Sequence, residues 1–242
     1  MQIITTAIIK GGTGKSTTAA ALAQAAAAAG KKVLAIDLDP QANLSFFMGA
    51  DSSGPGSYHL LNGLPPGEAI QPTAQGIDII AASPDLATIQ SRAGSARRLQ
   101  KALEPIRGQY DFVFIDTPPQ MGELTYNALQ ASTGLIIPLE TDSSSLQGLY
   151  QIIDIANQIQ ASNANLSILG AIITRYDSRP KLNRYLLQSI KDKAEEAGIP
   201  FLKAIRAGVA IREAQAMQQS IFSYDPKSKP AADYADLFQM IQ

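Results

Sequence analysis

The sequence predicts an α/β protein with a doubly wound, mostly parallel sheet and helices on both faces. Short apolar segments alternate along the chain with longer helical patterns, which is typical of β-α-β units. The short segments are almost continuously apolar, as strands buried on both faces of a sheet are. No change of composition divides the 242 residues, so we expect one domain, residues 1–242.

Seven apolar segments are expected to be strands and six periodic segments to be helices. The strands are residues 3–9, 33–37, 77–82, 112–116, 134–139, 166–174 and 201–205. The helices are residues 15–29, 96–107, 123–132, 144–161, 181–197 and 231–241. Gly30 is a plausible end for the first helix, whose alanine-rich part should pack closely on the sheet. Residues 51–67, rich in Gly, Pro and Ser, are expected to form a long surface excursion.

Composition excludes several kinds of protein. The chain has no cysteine, so it has neither disulfides nor cysteine-bound zinc or iron–sulfur clusters. It has one histidine, His59, which disfavours a histidine metal site. No apolar run reaches the roughly 18 residues of a membrane span. The first residues, MQIITTAIIK, lack the features of a signal peptide, so a cytoplasmic protein is expected.

The segment AIIKGGTGKSTTAAAL, residues 7–22, predicts a phosphate-binding loop. Gly14, Lys15 and Ser16 supply the end of the motif G-x-x-x-x-G-K-[ST], although Ile9 stands where its first glycine is expected. The loop follows a predicted strand and opens a predicted helix, whose N-terminal N–H groups favour an anion. Gly11 and Gly12 provide the backbone freedom that the loop needs.

Each side chain of the loop suits one part of a nucleotide. Lys15 can reach the β- and γ-phosphates, and the Ser16 hydroxyl can bind Mg²⁺. Thr17 is placed to contact the α-phosphate. The expected nucleotide-binding segment is therefore Lys10, Gly11, Gly12, Thr13, Gly14, Lys15, Ser16 and Thr17, with ATP and Mg²⁺ as cofactors.

The residues KGGTGKS, 10–16, resemble the deviant Walker A motif of the ParA/MinD family of ATPases. The resemblance implies a P-loop NTPase fold. It also implies that Lys10, the family's signature lysine, crosses a two-fold axis to the phosphates bound by a second subunit. ATP would then hold two copies of the chain together as a homodimer.

Two carboxylate motifs extend the resemblance. VLAIDLDPQANLS, residues 33–45, resembles the segment called Walker A′, and YDFVFIDTPP, residues 110–119, resembles Walker B. Asp37 ends a buried strand, where a carboxylate needs a cation or donors, and it would act in the outer shell of Mg²⁺. The resemblance implies that Asp39 positions or activates the attacking water and that Asp116 holds a Mg²⁺-bound water.

The resemblance continues to the C-terminus. TRYDSR, residues 174–179, and residues 205–237 resemble the adenine-side and C-terminal segments of bacterial ParA proteins, which puts Arg206 beside the nucleotide. SSSLQG, residues 143–148, departs from the aromatic and acidic version of many relatives.

Other branches of the family fit less well. Nitrogenase-type iron proteins and Mrp-type carriers need cysteines, and MinD-type proteins need a basic amphipathic C-terminal helix. The last residues, AADYADLFQMIQ, carry Asp233 and Asp236 and no basic residue, which argues against membrane attachment. Because the loop begins at residue 10, no N-terminal helix-turn-helix domain is expected.

Charge is distributed unevenly behind a net charge of −1. Residues 170–230 carry eleven Lys or Arg and six Asp or Glu, against nine and fifteen elsewhere. Several cations without a base-reading element suit non-specific binding of double-stranded DNA. The candidates that we select are Arg175, Arg179, Arg206, Arg212, Lys227 and Lys229.

These features together predict a ParA-type DNA-partition ATPase. Its ATP-bound dimer would bind DNA without sequence preference, and a ParB-type adaptor on a centromere-like site would stimulate hydrolysis and release. The expected location is the nucleoid within the cytoplasm. Two alternatives remain: an ATPase of the same family that positions a protein assembly on the nucleoid, and a nucleotide-gated binding module with negligible turnover.

Overall fold

The computed structural model describes residues 1–90 and 96–242, and in this part of the chain all strands belong to one sheet. Each of the seven predicted strands is present. The strands are β1 (Gln2–Thr6), β2 (Val33–Asp37), β3 (Ile70–Pro72), β4 (Asp78–Ile80), β5 (Phe112–Asp116), β6 (Gly134–Leu139), β7 (Ser167–Tyr176) and β8 (Phe201–Arg206). Their order is β3-β4-β2-β5-β1-β6-β7-β8, and only the β3–β4 pair is antiparallel.

Helices cover both faces of the sheet. Those before β6 are α1 (Lys15–Ala28), α2 (Asn43–Phe47), α3 (Ser57–Leu61), α4 (Pro66–Ala69), α5 (Leu86–Gln90), α6 (Arg98–Leu103), continued by a 3₁₀ turn at Glu104–Ile106, and α7 (Glu123–Ala131). Those after β6 are α8 (Ser143–Gln160), α9 (Lys181–Glu196), α10 (Val209–Ala216), α11 (Ile221–Tyr224) and α12 (Lys229–Ile241).

Alternation along the central strands divides the core into two layers. Ile4, Ala35 and Phe114 face α1 and α12, where the alanines of α1 allow close packing, as the sequence predicts. Ile3 and Ile115, one position away, face the opposite layer, which includes α6 and α7. Further along the same face, β6 and β7 pack on α8 and α9. The doubly wound prediction is confirmed.

The sheet places the candidate functional residues at one edge. In register, Thr6 of β1 and Asp37 of β2 are both paired with Asp116 of β5, between them. All three residues end their strands, so their side chains meet at the carboxyl edge. Strands β2 to β5 lie on one side of β1 and β6 to β8 on the other, and parallel sheets bind ligands outside the carboxyl ends where the strand order changes direction.

Three details differ from the sequence predictions. Strand β1 ends at Thr6, three residues early, because the chain turns there into the loop before α1. The segment 51–67 is not wholly a surface excursion: it contains α3, whose Leu60 and Leu61 are buried in the core. Short helices α2 to α5 and the helices α10 and α11 were not predicted. No helix of the described residues has the length and apolarity to cross a membrane.

Candidate nucleotide site

The loop between β1 and α1 has the conformation that its glycines suggest. Gly12 and Gly14 have positive φ angles of 76° and 84°, a region that glycine enters without strain. Gly14 is also packed: a Cβ there would lie 3.2 Å from Cγ2 of Thr174. The Gly14 carbonyl accepts a hydrogen bond from Thr18 N at 2.8 Å, which starts α1. The loop therefore forms with Ile9 in place of the first glycine of the motif.

A cavity of about 400 Å³ opens over this loop. Its walls come from the loop, from the segment after β2 and from Pro119 after β5. The lining residues are Gly11, Gly12, Gly14, Lys15, Ser16, Thr17, Asp39, Gln41, Asn43, Phe47, Pro119 and Arg175. The structure thus brings together the loop and Asp39, which lie more than twenty residues apart in the sequence. Thr13 does not line the cavity; it is buried, and its hydroxyl has no partner among the described residues.

Lys15 is the buried cation of the cavity. Its side chain folds back over the loop, and Nζ donates to the carbonyl oxygen of Lys10 at 2.8 Å. Burial lowers the pKa of Lys15, while the carboxylates of Asp116 and Asp39 act in the opposite direction. An anion bound over the loop would supply the counter-charge that this buried ammonium lacks.

Asp116 has the free oxygen that a metal site requires. Its Oδ1 accepts from Thr117 N at 3.0 Å, but its buried Oδ2 has no hydrogen-bond donor among the described residues. Burial, and then the neighbouring Asp37, raise the pKa of Asp116 well above its usual value, and Ser16 and Lys15 partly oppose this rise. Carboxylate and hydroxyl oxygens are ligands that Mg²⁺ accepts, so Asp116 and Ser16 fit that ion.

Asp37 is occupied by protein donors. It accepts hydrogen bonds from Asp39 N at 3.0 Å, Ser45 N at 2.8 Å and Ser45 Oγ at 2.7 Å. Burial raises the pKa of Asp37 to about 6, against these hydrogen bonds. Because its lone pairs hold α2 in place, Asp37 suits an outer-shell position better than direct contact with a metal.

Asp39 faces Lys15 across the cavity. Only 6% of its surface is exposed, and Oδ1 accepts from Gln41 N at 3.0 Å. Burial raises the pKa of Asp39, and the Gln41 hydrogen bond and the Lys15 charge oppose the rise. An ionised carboxylate has about four lone-pair sites, so the group can also accept a hydrogen bond from a ligand or a water molecule in the cavity.

Lys10 is paired within its own subunit. Its Nζ contacts the carboxylate of Asp142 and lies 3.4 Å from Ser145 Oγ and 3.9 Å from Glu140 Oε2. Asp142 caps α8 by accepting from Ser145 N at 2.9 Å. Burial would raise the pKa of Asp142, but the hydrogen bonds from Lys10, Ser144 and Ser145 outweigh it and lower that pKa to about 2. Lys10 does not itself line the cavity; it precedes Gly11, which does, and it has a fixed counter-charge.

A second cavity, of about 580 Å³, adjoins the first on the side of β8, α10 and α12. Its walls are largely apolar and include Ile205, Ile211 and Pro230, which suits a flat ring system. Arg206 lies at its edge, where its Nε and Nη2 each donate to Asp233 at 2.8 Å. Asp233 is almost fully buried, so this pair also joins β8 to α12.

Sequence comparison agrees with this geometry. A family model described as an AAA domain matches residues 1–168. The chain is 34% identical to the chromosome partitioning protein ParA of Caulobacter vibrioides, over 98% of this chain and 92% of that protein. It is also 34% identical to the chromosome-partitioning ATPase Soj of Thermus thermophilus, over 96% and 92% of the two chains. The chain belongs to the ParA/MinD family of ATPases.

Structural comparison gives a similar result for this ParA/MinD-family chain. A Mycobacterium smegmatis structure described as cobyrinic acid a,c-diamide synthase, with bound ADP and magnesium, superposes with a TM-score of 0.85. The two chains are 31% identical, and the match covers 99% of this chain and 93% of the other. The ADP and magnesium are those of the mycobacterial protein, and they are the kinds of ligand that the loop, Ser16 and Asp116 suit.

The six cations predicted to bind DNA divide into two groups in this family member. Arg175, Arg206 and Arg212 line the second cavity, so they border the nucleotide site. The others lie outside both cavities and are exposed. They are Arg179, which pairs with Asp177 at 2.7 Å, and Lys227 and Lys229. Within the described residues Arg212, Lys227 and Lys229 form no ion pair, so their charges face solvent.

Sequence reasoning missed several residues of the site. Gln215 of α10 donates to the Thr17 hydroxyl at 3.0 Å, and Tyr234 of α12 shares a 3.2 Å hydrogen bond with the Thr18 hydroxyl. After β6, Asp142 pairs with Lys10 and Glu140 pairs with Arg175. Glu140 and Asp142 directly follow the predicted strand 134–139, and this position at the carboxyl edge of the sheet could have indicated that they belong to the site. Nothing in the local sequence marks Gln215 or Tyr234.

Proposed function

We propose that the chain is an ATP-hydrolysing partition protein. It binds ATP and Mg²⁺ at the loop, and it binds DNA without sequence preference while it moves its cargo. The observation that carries this proposal is the convergence of Lys15, Ser16 and Asp39 on one cavity, with the buried Asp116 close to Ser16 and Lys15. This set contains a cation, a hydroxyl and two carboxylates, which are the groups that phosphoryl transfer to water requires. The ParA and Soj relatives, both described as chromosome-partitioning proteins, support DNA as the cargo.

The division of labour follows from the position of each group. Lys15 and the loop N–H groups bind the phosphates, and the second cavity takes the base and ribose. Ser16 would bind Mg²⁺ directly, and Asp116 would hold a water molecule bound to it. The ion would neutralise charge on the phosphate oxygens. Asp39 orients the attacking water, since its carboxylate lies in the same cavity as Lys15. The chemistry is mainly positioning and charge neutralisation.

Dimerisation depends on Lys10 in this proposal. Its side chain leaves Asp142 and reaches the phosphates bound by the second subunit, so that ATP closes two subunits face to face. We therefore expect Lys10→Ala to bind ATP as a monomer and to lose ATP-dependent dimerisation. Light scattering with a slowly hydrolysed ATP analogue measures this, and Lys31→Ala, an exposed lysine beyond α1, is the control. A Lys10→Ala dimer of unchanged affinity would rule out the cross-subunit role.

DNA binding is assigned to exposed cations of the C-terminal region, including Arg179, Arg212, Lys227 and Lys229. We expect a combined Arg212→Ala, Lys227→Ala and Lys229→Ala variant to bind duplexes of unrelated sequence equally weakly. For each cation that no longer meets a phosphate, the slope of log affinity against log salt should fall by roughly one unit. ATP binding and dimerisation should survive in the Lys227→Ala and Lys229→Ala pair alone, because neither lysine lines a cavity, whereas Arg212 borders the second one.

Titration of fluorescent duplexes at several salt concentrations, with and without ATP, tests this surface. Wild-type binding should need ATP, because the dimer doubles the cations that one subunit offers. Unchanged affinity in the variant would move the DNA surface elsewhere, for example to Arg97, Arg98 and Lys101 of α6 and its N-terminus. Tight, salt-insensitive binding to a single sequence would contradict non-specific binding altogether.

An adaptor protein of the ParB type completes the proposed cycle by stimulating hydrolysis and releasing the dimer from DNA. Phosphate release measured with DNA and the adaptor distinguishes an ATPase from a nucleotide-gated binding module of negligible turnover. Pull-down of the adaptor distinguishes DNA partition from the positioning of a protein assembly, because the recovered protein binds either a centromere-like site or that assembly.

A further inference from the structure

Arg175 occupies a position that its assignment to a DNA-binding surface does not explain. It lies near the end of β7 and has a φ of 52°, in the left-handed region that residues other than glycine seldom adopt. The preceding Thr174 is buried against the phosphate loop, where its hydroxyl donates to the Thr13 carbonyl at 2.8 Å. The backbone at Arg175 is therefore fixed by the loop itself.

Among the described residues, Arg175 is also the one charged side chain that lines both the cavity over the loop and the cavity beside β8. In that part of the chain, the two cavities share only Gly14, Thr17 and Arg175. The junction of the two cavities is where a nucleotide passes from its base and ribose to its phosphate chain. A cation at that junction faces the segment of a nucleotide that carries its first negative charges.

The contacts of the guanidinium place its charge on the loop. Its Nη2 donates to the Gly12 carbonyl and pairs with Glu140, which also lies 3.9 Å from Lys10. Burial raises the pKa of Tyr234 to about 12, and the positive charge of Arg175 is among the effects that oppose this rise. The electrostatic effect of Arg175 thus extends to Tyr234, whose hydroxyl shares a hydrogen bond with Thr18 in the first turn of α1.

The guanidinium retains donors for a ligand. It has five N–H groups in a rigid fork that matches phosphate oxygens, and both of its hydrogen bonds within the described residues use Nη2. More than half of the side chain, 58%, is exposed, and the residue lines both cavities. Nε and Nη1 therefore remain available on a side chain that is already positioned.

We propose that Arg175 binds the phosphate chain of the nucleotide in its own subunit, at the junction of the two cavities, and does not belong to the DNA surface. The proposal rests on the proposed function, because it requires a nucleoside di- or triphosphate at the loop. Glu140 holds the guanidinium when the site is empty, and the phosphate oxygens accept from the free side of the fork when it is filled.

The experiment compares the affinities of ATP, ADP and AMP for the full chain without DNA, by competition with a fluorescent nucleotide. The variant is Arg175→Asn, because asparagine tolerates the left-handed backbone and removes only the cation. We expect ATP and ADP to bind about ten- to a hundredfold more weakly, as loss of a hydrogen bond to a charged group implies. AMP should also bind more weakly, since it carries the first phosphate of the chain, whereas adenosine, measured beside the three nucleotides, should be unchanged because it has no phosphate.

Two further variants sharpen the result. Arg175→Lys keeps the charge without the fork, so its affinity for ATP should fall between wild type and Arg175→Asn. Arg179→Ala is the matched control, because Arg179 lies four residues away, is exposed and lines neither cavity. Its affinities for all three nucleotides should equal those of wild type.

Three outcomes would overturn the proposal. ATP and ADP affinities in Arg175→Asn within twofold of wild type, with weaker DNA binding, would return Arg175 to the DNA surface. An equal reduction for adenosine and for the three nucleotides would indicate a distorted cavity, not the absence of a cation from the phosphate chain. Wild-type protein that binds neither ATP nor ADP would contradict the proposed function itself, and this proposal with it.

Discussion

Lys15→Ala should abolish measurable binding of ATP and ADP while leaving a folded protein. Lys15 is the buried cation over which the phosphates would lie. Burial lowers its pKa, and the carboxylates of Asp116 and Asp39 oppose this shift without cancelling it. Without it, Asp39 would face the phosphates in this cavity, and the buried Asp116 nearby would lose the opposing charge of Lys15. A loss of about a hundredfold or more follows, since hydrogen bonds between charged partners are the strong ones.

Isothermal titration with ATP and ADP measures the effect. Thermal unfolding must accompany it, because removing a buried cation changes the environment of Asp116 as well. Lys31→Ala is a suitable comparison: this lysine follows α1 at its far end and is exposed. Nucleotide affinity in Lys15→Ala within a few-fold of wild type would show that the phosphates do not lie over this loop.

The sheet was predictable because each central strand is a continuous run of apolar residues in the sequence. Strands such as β2 and β5 are buried on both faces, so five consecutive residues are apolar or end in the functional aspartate. The antiparallel edge strand β3 has three residues, including Pro72, and has no such pattern. An edge strand can tolerate a proline because one side of its backbone needs no partner.

The short helices between β2 and β5 depend on contacts that the local sequence does not reveal. Helix α2 is held by the Asp37 carboxylate, eight residues before Ser45. Helix α3 starts where Gly56 approaches another segment so closely that a Cβ would lie 2.2 Å from the Ala81 oxygen. Such helices are stabilised by tertiary contacts more than by propensity, so a window of sequence does not identify them.

The site was predictable only where a motif carried it. Lys10, Lys15 and the three aspartates lie at fixed positions in segments that resemble known motifs, and the strands bring them to one edge. Arg175 is oriented by its contacts with Gly12 and Glu140, and Arg206 by its pair with Asp233 of α12, and none of these contacts is local in the sequence. Charge counted along the sequence cannot distinguish a cation that borders a cavity from one that faces solvent.

Asp39→Ala should bind ATP, dimerise and then hydrolyse ATP about a hundredfold or more slowly. The positioned carboxylate is lost, and removal of such a group typically costs two to four orders of magnitude, that is about 10²–10⁴. ATP affinity should be equal or greater, because a negative charge leaves a cavity that Lys15 and Ser16 still line. The ATP-bound dimer should therefore persist on DNA.

Phosphate release with DNA and the adaptor, together with the dissociation rate from DNA, tests this prediction. Asp39→Asn is the informative companion, since its amide oxygen can still accept the hydrogen bond from Gln41 N and so preserves the turn after β2. Slow hydrolysis in both variants assigns the effect to the carboxylate, whereas slow hydrolysis in Asp39→Ala alone assigns it to the turn. Asp51→Ala, an exposed carboxylate outside both cavities, should behave as wild type. Wild-type turnover in Asp39→Ala would mean that another group orients the water, and Asp39 would then serve only to balance the charge of Lys15.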